Sequence, residues 1–168
     1  MLIRLQPIDE TNKHHVNQIR AGANEIALLH YNAYWVGQAA LVEDIWAYLI
    51  YDERDQVVGF VALGACYEDE YLSLNKLETV GEIYHLVIDP VRQDSGVGKS
   101  TMNACSKLLA NKGFTSIRVA HAPSNFRASK FYTGLGFRPI GANYDSDPYL
   151  ECHISQVPTQ NRNDMNVN

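Results

Sequence analysis

No run of roughly 18 apolar residues occurs in this chain of 168 residues, so nothing in it has the length and character of a membrane-spanning helix. Cysteine is scarce. Cys66, Cys105 and Cys152 are odd in number, far apart and without C-x-x-C spacing, which argues against a disulfide framework and fits buried thiols of a reducing compartment. The histidines include the neighbours His14 and His15 but no i, i+4 pair with an acid between them, so no metal is expected. Basic blocks are also missing. With 14 Lys and Arg against 19 Asp and Glu the net charge is −5, a poor basis for nucleic-acid binding, which rests on cations neutralising phosphates. The opening MLIRLQPIDE has no apolar h-region or small-residue cleavage site; no secretory signal is expected, and a cytoplasmic location is. Repeats and linkers are lacking too, so the expectation is one domain over 1–155 and a disordered tail over 156–168.

What is present concentrates between Gly81 and Phe137. Ile83 to Ile88 is a short apolar run stopped by Asp89-Pro90, which predicts a buried strand. A turn follows, Gln93-Asp94-Ser95-Gly96-Val97-Gly98. Val97, Thr101, Ala104, Cys105 and Leu108 then recur at helical spacing, and Lys112 and Gly113 close the helix. A helix N-terminus offers unpaired N–H groups and partial positive charge, and glycines let a phosphate approach the backbone. Lys99 in the first turn adds a cation. Gly98-Lys99-Ser100 looks like the end of a nucleotide-binding P-loop, but that motif needs glycine at 93, where this chain has Gln93.

Thr115 to Ala120 alternates as a strand, and Pro123 breaks it. Ser124 or Asn125 can cap a helix in which Ala128, Phe131, Tyr132 and Leu135 form one face, ended by Gly136-Phe137. Leu-Val-Ile-Asp-Pro, Gln-x-x-Gly-x-Gly and Asn-x-x-Ala-x-x-Phe-Tyr-x-x-x-Gly-Phe, in this order, resemble the acetyl-CoA-binding core of the GNAT N-acetyltransferases. The resemblance covers 81–138. Gln93 departs from the more frequent Arg, and Gly134 stands near where many members carry Lys.

That resemblance implies an α/β fold: a mixed, mostly antiparallel sheet of six to seven strands, flanked by about four helices. Strands 83–88 and 115–120 would splay to form a CoA cleft. Main-chain groups of Leu86, Val87 and Ile88 and the side chain of Asn125 would hold the pantetheine arm. The turn Gln93, Asp94, Ser95, Gly96, Val97, Gly98, with Lys99, would hold the pyrophosphate. The implied reaction is acetyl transfer from acetyl-CoA to a primary amine, which needs a base, carbonyl-holding donors and an acid for the leaving thiolate. Glu82 is the first candidate base and His85 the second. Residues 82 and 85 face opposite ways in a regular strand, so both line one pocket only if the strand bulges, as the resemblance implies. Tyr132 is the candidate acid.

Elsewhere a first strand is expected over Leu2 to Leu5. A helical tract capped by Thr11 and running with a break to about Ala47 should follow, carrying Gly22, Asn24, Tyr31, Tyr34 and Trp35 as core or as a wall of the acceptor site. Tyr48 to Tyr51 and Val57 to Ala65 read as a hairpin, and Arg138 to Tyr144 and Tyr149 to Ser155 as closing strands. The acidic run Tyr67-Glu68-Asp69-Glu70-Tyr71 reads as solvated loop or as a cation-attracting rim, and loosely resembles polyamine acetyltransferases. Protein Nα- or lysine acetylation and a non-catalytic acyl-CoA sensor are the rival readings; a homodimer is left open.

Overall fold

The computed structural model describes residues 2–20, 26–69 and 74–158, with backbone alone for 26–30. Seven strands form one sheet: β1 (Ile3–Pro7), β2 (Ile45–Asp52), β3 (Val57–Tyr67), β4 (Lys76–Ile88), β5 (Ser116–Ala120), β6 (Arg138–Ala142) and β7 (Pro148–His153). Their order is β1-β2-β3-β4-β5-β7-β6. Every neighbouring pair is antiparallel except β4 with β5. That pair is parallel because the chain leaves β4, crosses through α2 (Val97–Asn111) and returns in the same direction, as a strand–helix–strand crossover requires. Three α-helices are described, α1 (Ile26–Leu41), α2 and α3 (Phe126–Gly134), against the four or so expected.

The two faces of the sheet are covered differently. Val61, Leu63, Ala65, Ile83, Ile117, Val119 and Leu150 alternate onto one face, and there meet Met102, Cys105 and Leu109 of α2, Tyr132 of α3 and Leu135 at its C-cap. Leu49, Phe60, Ala62 and Val87 occupy the other face, with Val16, Ile19 and, partly, Trp35 and Val36 of α1. Fully burying one such aliphatic side chain is worth about 1.5–3 kcal/mol, so the long β3, buried at nearly every position, holds the two layers together. The hydroxyls of α2 are absorbed locally, Thr101 Oγ1 donating to the Val97 carbonyl at 2.9 Å and Ser106 Oγ to that of Met102 at 2.8 Å.

Several expectations need correction. The first long helix stops at Leu41, and Ile45 to Ala47 belong to β2, because they pair with Gly64, Leu63 and Ala62 of β3. Thr11 does not cap a helix: its N–H and hydroxyl both donate to Asp9, at 2.8 and 2.6 Å, and tighten a turn before a short 3-10 segment. β4 starts at Lys76, well before the apolar run, and its first half ladders with β3. In the acidic run, the Asp69 carboxylate accepts from the N–H groups of Leu74 and Asn75 and so builds the turn back into β4. Glu70 and Tyr71 lie outside the described residues, as do Gly22, Asn24 and the chain from 159 onward. Packing into the core runs to Val157, past the expected domain end at 155. Among the described residues no helix is long and apolar enough to cross a membrane.

Candidate active site

β4 and β5 part company. Their pairing runs from Val80↔Ser116 to Ile83↔Val119 and stops there, while β4 continues to Ile88 held by β3. Leu86, Val87 and Ile88 therefore have β3 on one edge and no ladder to β5 on the other. The β4/β5 ladder thus ends where strands 83–88 and 115–120 are expected to diverge. Gln93 reaches back into this region, its Nε2 donating to the Ile88 carbonyl at 3.0 Å.

The turn after β4 is built to be abrupt. Asp89 Oδ1 accepts from the Val91 N–H at 3.0 Å and starts a 3-10 turn over Pro90–Arg92. Asp94 (φ 61°) and Gly96 (φ 88°) then take the left-handed conformation that sends the chain into α2. Gly96 is the N-cap residue, no side chain caps this end, and no acid lies in the first turn. The first N–H groups of α2 thus have no intrahelical carbonyl and no cap from Gly96, which leaves a partial positive charge at this end. Lys99 is exposed beside them. Asp94, the acid of the turn, is paired with Arg127 of α3 at 2.8 Å. Gly98 has a second reason to be glycine: a Cβ there would sit 3.2 Å from the Phe131 ring, where α3 crosses α2. Asn125 is the cap of α3, its Oδ1 accepting from the Ala128 N–H at 3.0 Å, so part of its hydrogen-bonding capacity is structural.

Glu82 and His85 come to one face of the sheet because β4 bulges. Ala62 aligns with His85 and Leu63 with Ile83, which leaves Tyr84 as the extra residue. Tyr84 and His85 then both turn toward α1, where Tyr84 stacks on Trp35 at 4.6 Å and donates its hydroxyl to the Ala65 carbonyl. Glu82 is only 8% exposed. Its Oε2 accepts from the Tyr149 hydroxyl at 2.9 Å, and that hydroxyl lies 3.3 Å from Cys66 Sγ. Burial first, then the Glu82 charge, pushes the Cys66 thiol up to about 12 and raises the Tyr149 phenol well above its ordinary range. Both stay protonated and can only donate to an ionised Glu82.

His85 is held otherwise. Asn32 Nδ2 donates to the carbonyls of Val16 and Ile19 at 2.9 and 3.0 Å, so its Oδ1, 2.8 Å from His85 Nε2, must accept. The proton of neutral His85 is thereby fixed on Nε2. Burial lowers its pKa to about 4. Tyr132 lies across the sheet on α3, buried against Phe131 and Phe137, and burial raises its phenol above the ordinary range. Among the described residues no group of three or more His, Cys, Asp and Glu is placed to hold a metal ion. Asn32, Cys66 and Tyr149 escaped the sequence reading. The alternation around Tyr149 placed it on a strand, but its reach to Glu82 depends on strand order.

A parallel strand pair whose ladder stops beside a glycine-bearing helix start is the arrangement that the GNAT resemblance implies. The model of the Acetyltransferase (GNAT) family matches residues 17–137, and the chain belongs to that family. Its sequence is 30% identical over 113 residues to a mycothiol acetyltransferase from Renibacterium salmoninarum, a match taking in 64% of this chain and 31% of that protein. The chain thus spans about a third of the length of the curated relative it matches. Among solved structures, an aminoglycoside acetyltransferase in complex with coenzyme A has a similar fold, with TM-score 0.72 and 17% identity over 92% of this chain and 96% of that one. So does a spermidine N-acetyltransferase chimera from Vibrio cholerae, with TM-score 0.68 and 14% identity over 94% of this chain and 98% of that one.

Proposed function

We propose that residues 2–157 are one N-acetyltransferase domain that moves an acetyl group from acetyl-CoA to a primary amine by direct transfer. The observation that carries this reading is the junction of the β4/β5 divergence with the uncapped start of α2. An extended pantetheine arm could add its amides to the edge at Leu86, Val87 and Ile88, as a strand would. Its pyrophosphate would then meet the N–H groups after Gly96, with Lys99 at hand.

Glu82 takes the proton of the incoming ammonium, freeing the nitrogen lone pair. The nitrogen attacks the thioester carbonyl, the C–N bond forms, the C–S bond breaks, and Tyr132 gives its proton to the leaving thiolate. His85 is the second candidate: its Nε2 proton is committed to Asn32, so only Nδ1 could accept a proton, and burial lowers its pKa to about 4. A small cationic amine of the polyamine kind suits a buried carboxylate in a chain of net charge −5, and one structural neighbour is a spermidine N-acetyltransferase.

The test is release of CoA from acetyl-CoA against a panel of polyamines, amino sugars, amino acids and peptide amines. Wild-type protein should turn over one class of small amine. Glu82→Gln should lower kcat at neutral pH by about 10²-fold or more with acetyl-CoA affinity unchanged, since an amide cannot take a proton. Turnover of peptides alone would move the assignment to protein acetylation. Acetyl-CoA binding with no turnover of any amine would identify a sensor.

A further inference from the structure

We propose that Tyr149 is a positioning residue for the reaction: its phenol crosses β5 from β7 and holds the Glu82 carboxylate in place. The inference rests on the acetyltransferase reading above and concerns how its base is set. In the register of the sheet Glu82 aligns with Arg118 of β5, and Arg118 with Glu151 of β7. Tyr149 aligns with Ala120, one step beyond the last β4/β5 pair, where the strands have separated. From there the hydroxyl reaches back to Glu82 Oε2 at 2.9 Å. The ring is itself fixed on two sides. The Arg118 guanidinium lies over it at 5.5 Å and is tied to Glu151 at 2.7 Å, and Cys66 Sγ meets the hydroxyl at 3.3 Å.

A phenol has one proton. With that proton given to Glu82, the Cys66 thiol has only a proton to offer, to the phenol oxygen or to Glu82 itself, so both donors serve the carboxylate. Donors to the ionised form favour ionisation. Arg118, aligned with Glu82 across β4 and β5, adds a nearby cation that favours the same ionised form, and its guanidinium is itself paired with Glu151. The carboxylate is therefore oriented at the mouth of the strand divergence and kept ionised despite its burial. A residue filling core space would need neither the hydroxyl nor this alignment.

The experiment follows the Glu82 carboxyl directly, by 13C NMR of protein carrying glutamate labelled at Cδ, with Glu82→Gln assigning the signal. In Tyr149→Phe the carboxyl titration should move upward by about one pH unit, the scale of one lost hydrogen bond to a charge. With an amine that the wild type acetylates, the acid limb of kcat/KM should move with it. kcat at neutral pH should fall about tenfold, while KM for acetyl-CoA changes less than twofold. Replacing Tyr149 by 3-fluorotyrosine, a stronger donor, should move the carboxyl titration downward, and this variant carries the test if Tyr149→Phe fails to fold. An unmoved carboxyl titration in a folded variant overturns the proposal. If the wild type acetylates no amine, the acetyltransferase reading fails, and the titration still decides whether Tyr149 sets the carboxylate.

Discussion

A tyrosine buried between two phenylalanines has to be tested by removing its hydroxyl and nothing else. Tyr132 packs against Phe131 and Phe137 at ring distances of 5.2 and 5.6 Å, and no described residue hydrogen-bonds its hydroxyl. Tyr132→Phe therefore keeps the packing and breaks no internal bond, so the melting temperature should barely change. If the hydroxyl protonates the departing thiolate, kcat at saturating acetyl-CoA should drop by about 10²–10⁴-fold, nearer the low end because a thiolate leaves easily. A rate within about twofold of wild type, far below what a general acid supplies, would assign Tyr132 to the core. The sequence marked this residue by its motif, and also marked Glu82 and His85. What it could not mark were Asn32, which fixes the tautomer of His85, and Tyr149, which holds Glu82. Each lies 53 or more positions along the chain from its partner, a separation that no local pattern spans.

The start of α2 serves packing and ligand approach through the same glycine. Gly98→Ala and Gly98→Asp both push a Cβ toward the Phe131 ring, 3.2 Å away, and both should lower stability by a similar amount, about 1–2 kcal/mol for a modest overpacking. Only the aspartate adds a negative charge beside the proposed pyrophosphate site. Calorimetry should show acetyl-CoA affinity reduced at least tenfold further in Gly98→Asp than in Gly98→Ala; equal affinities would place the pyrophosphate elsewhere. The turn, the helix and its Gly113 end were legible, since turn chemistry and 3.6-residue spacing are local. The bulge at Tyr84 was not legible from pattern. An extra residue becomes visible only when β3 supplies the register that it breaks. The helix over-extended to Ala47 failed for the same reason, because its last residues, Ile45 to Ala47, take their conformation from pairing with β3.

Across the whole molecule, His85 couples β4 to Asn32 of α1 and, through it, to the segment carrying Val16 and Ile19. Its pKa falls from 6.5 to about 4 on folding, because burial disfavours the charged ring. Between those values the unfolded chain binds a proton that the folded chain does not. The contribution of His85 to stability is full above about pH 6.5 and is lost as pH falls toward 4. The loss should be about 1–2 kcal/mol after allowing for solvent screening of a half-buried ring. Urea denaturation across this window should show a shallower pH dependence in His85→Gln, which cannot titrate; parallel curves would show that other groups carry the acid sensitivity. By itself the sequence determined the family and the glycine-bearing start of α2, and it named the residues proposed to bear the chemistry. Those follow from short motifs, in which spacing and residue type act within one turn or one strand. The tertiary structure decided where the β4/β5 ladder stops and that Glu82 and His85 share a face, which the residue pattern by itself left open, and it alone brought Tyr149 to Glu82. Strand order and register are set by packing between segments distant in the chain, and the geometry of this site is written at that level.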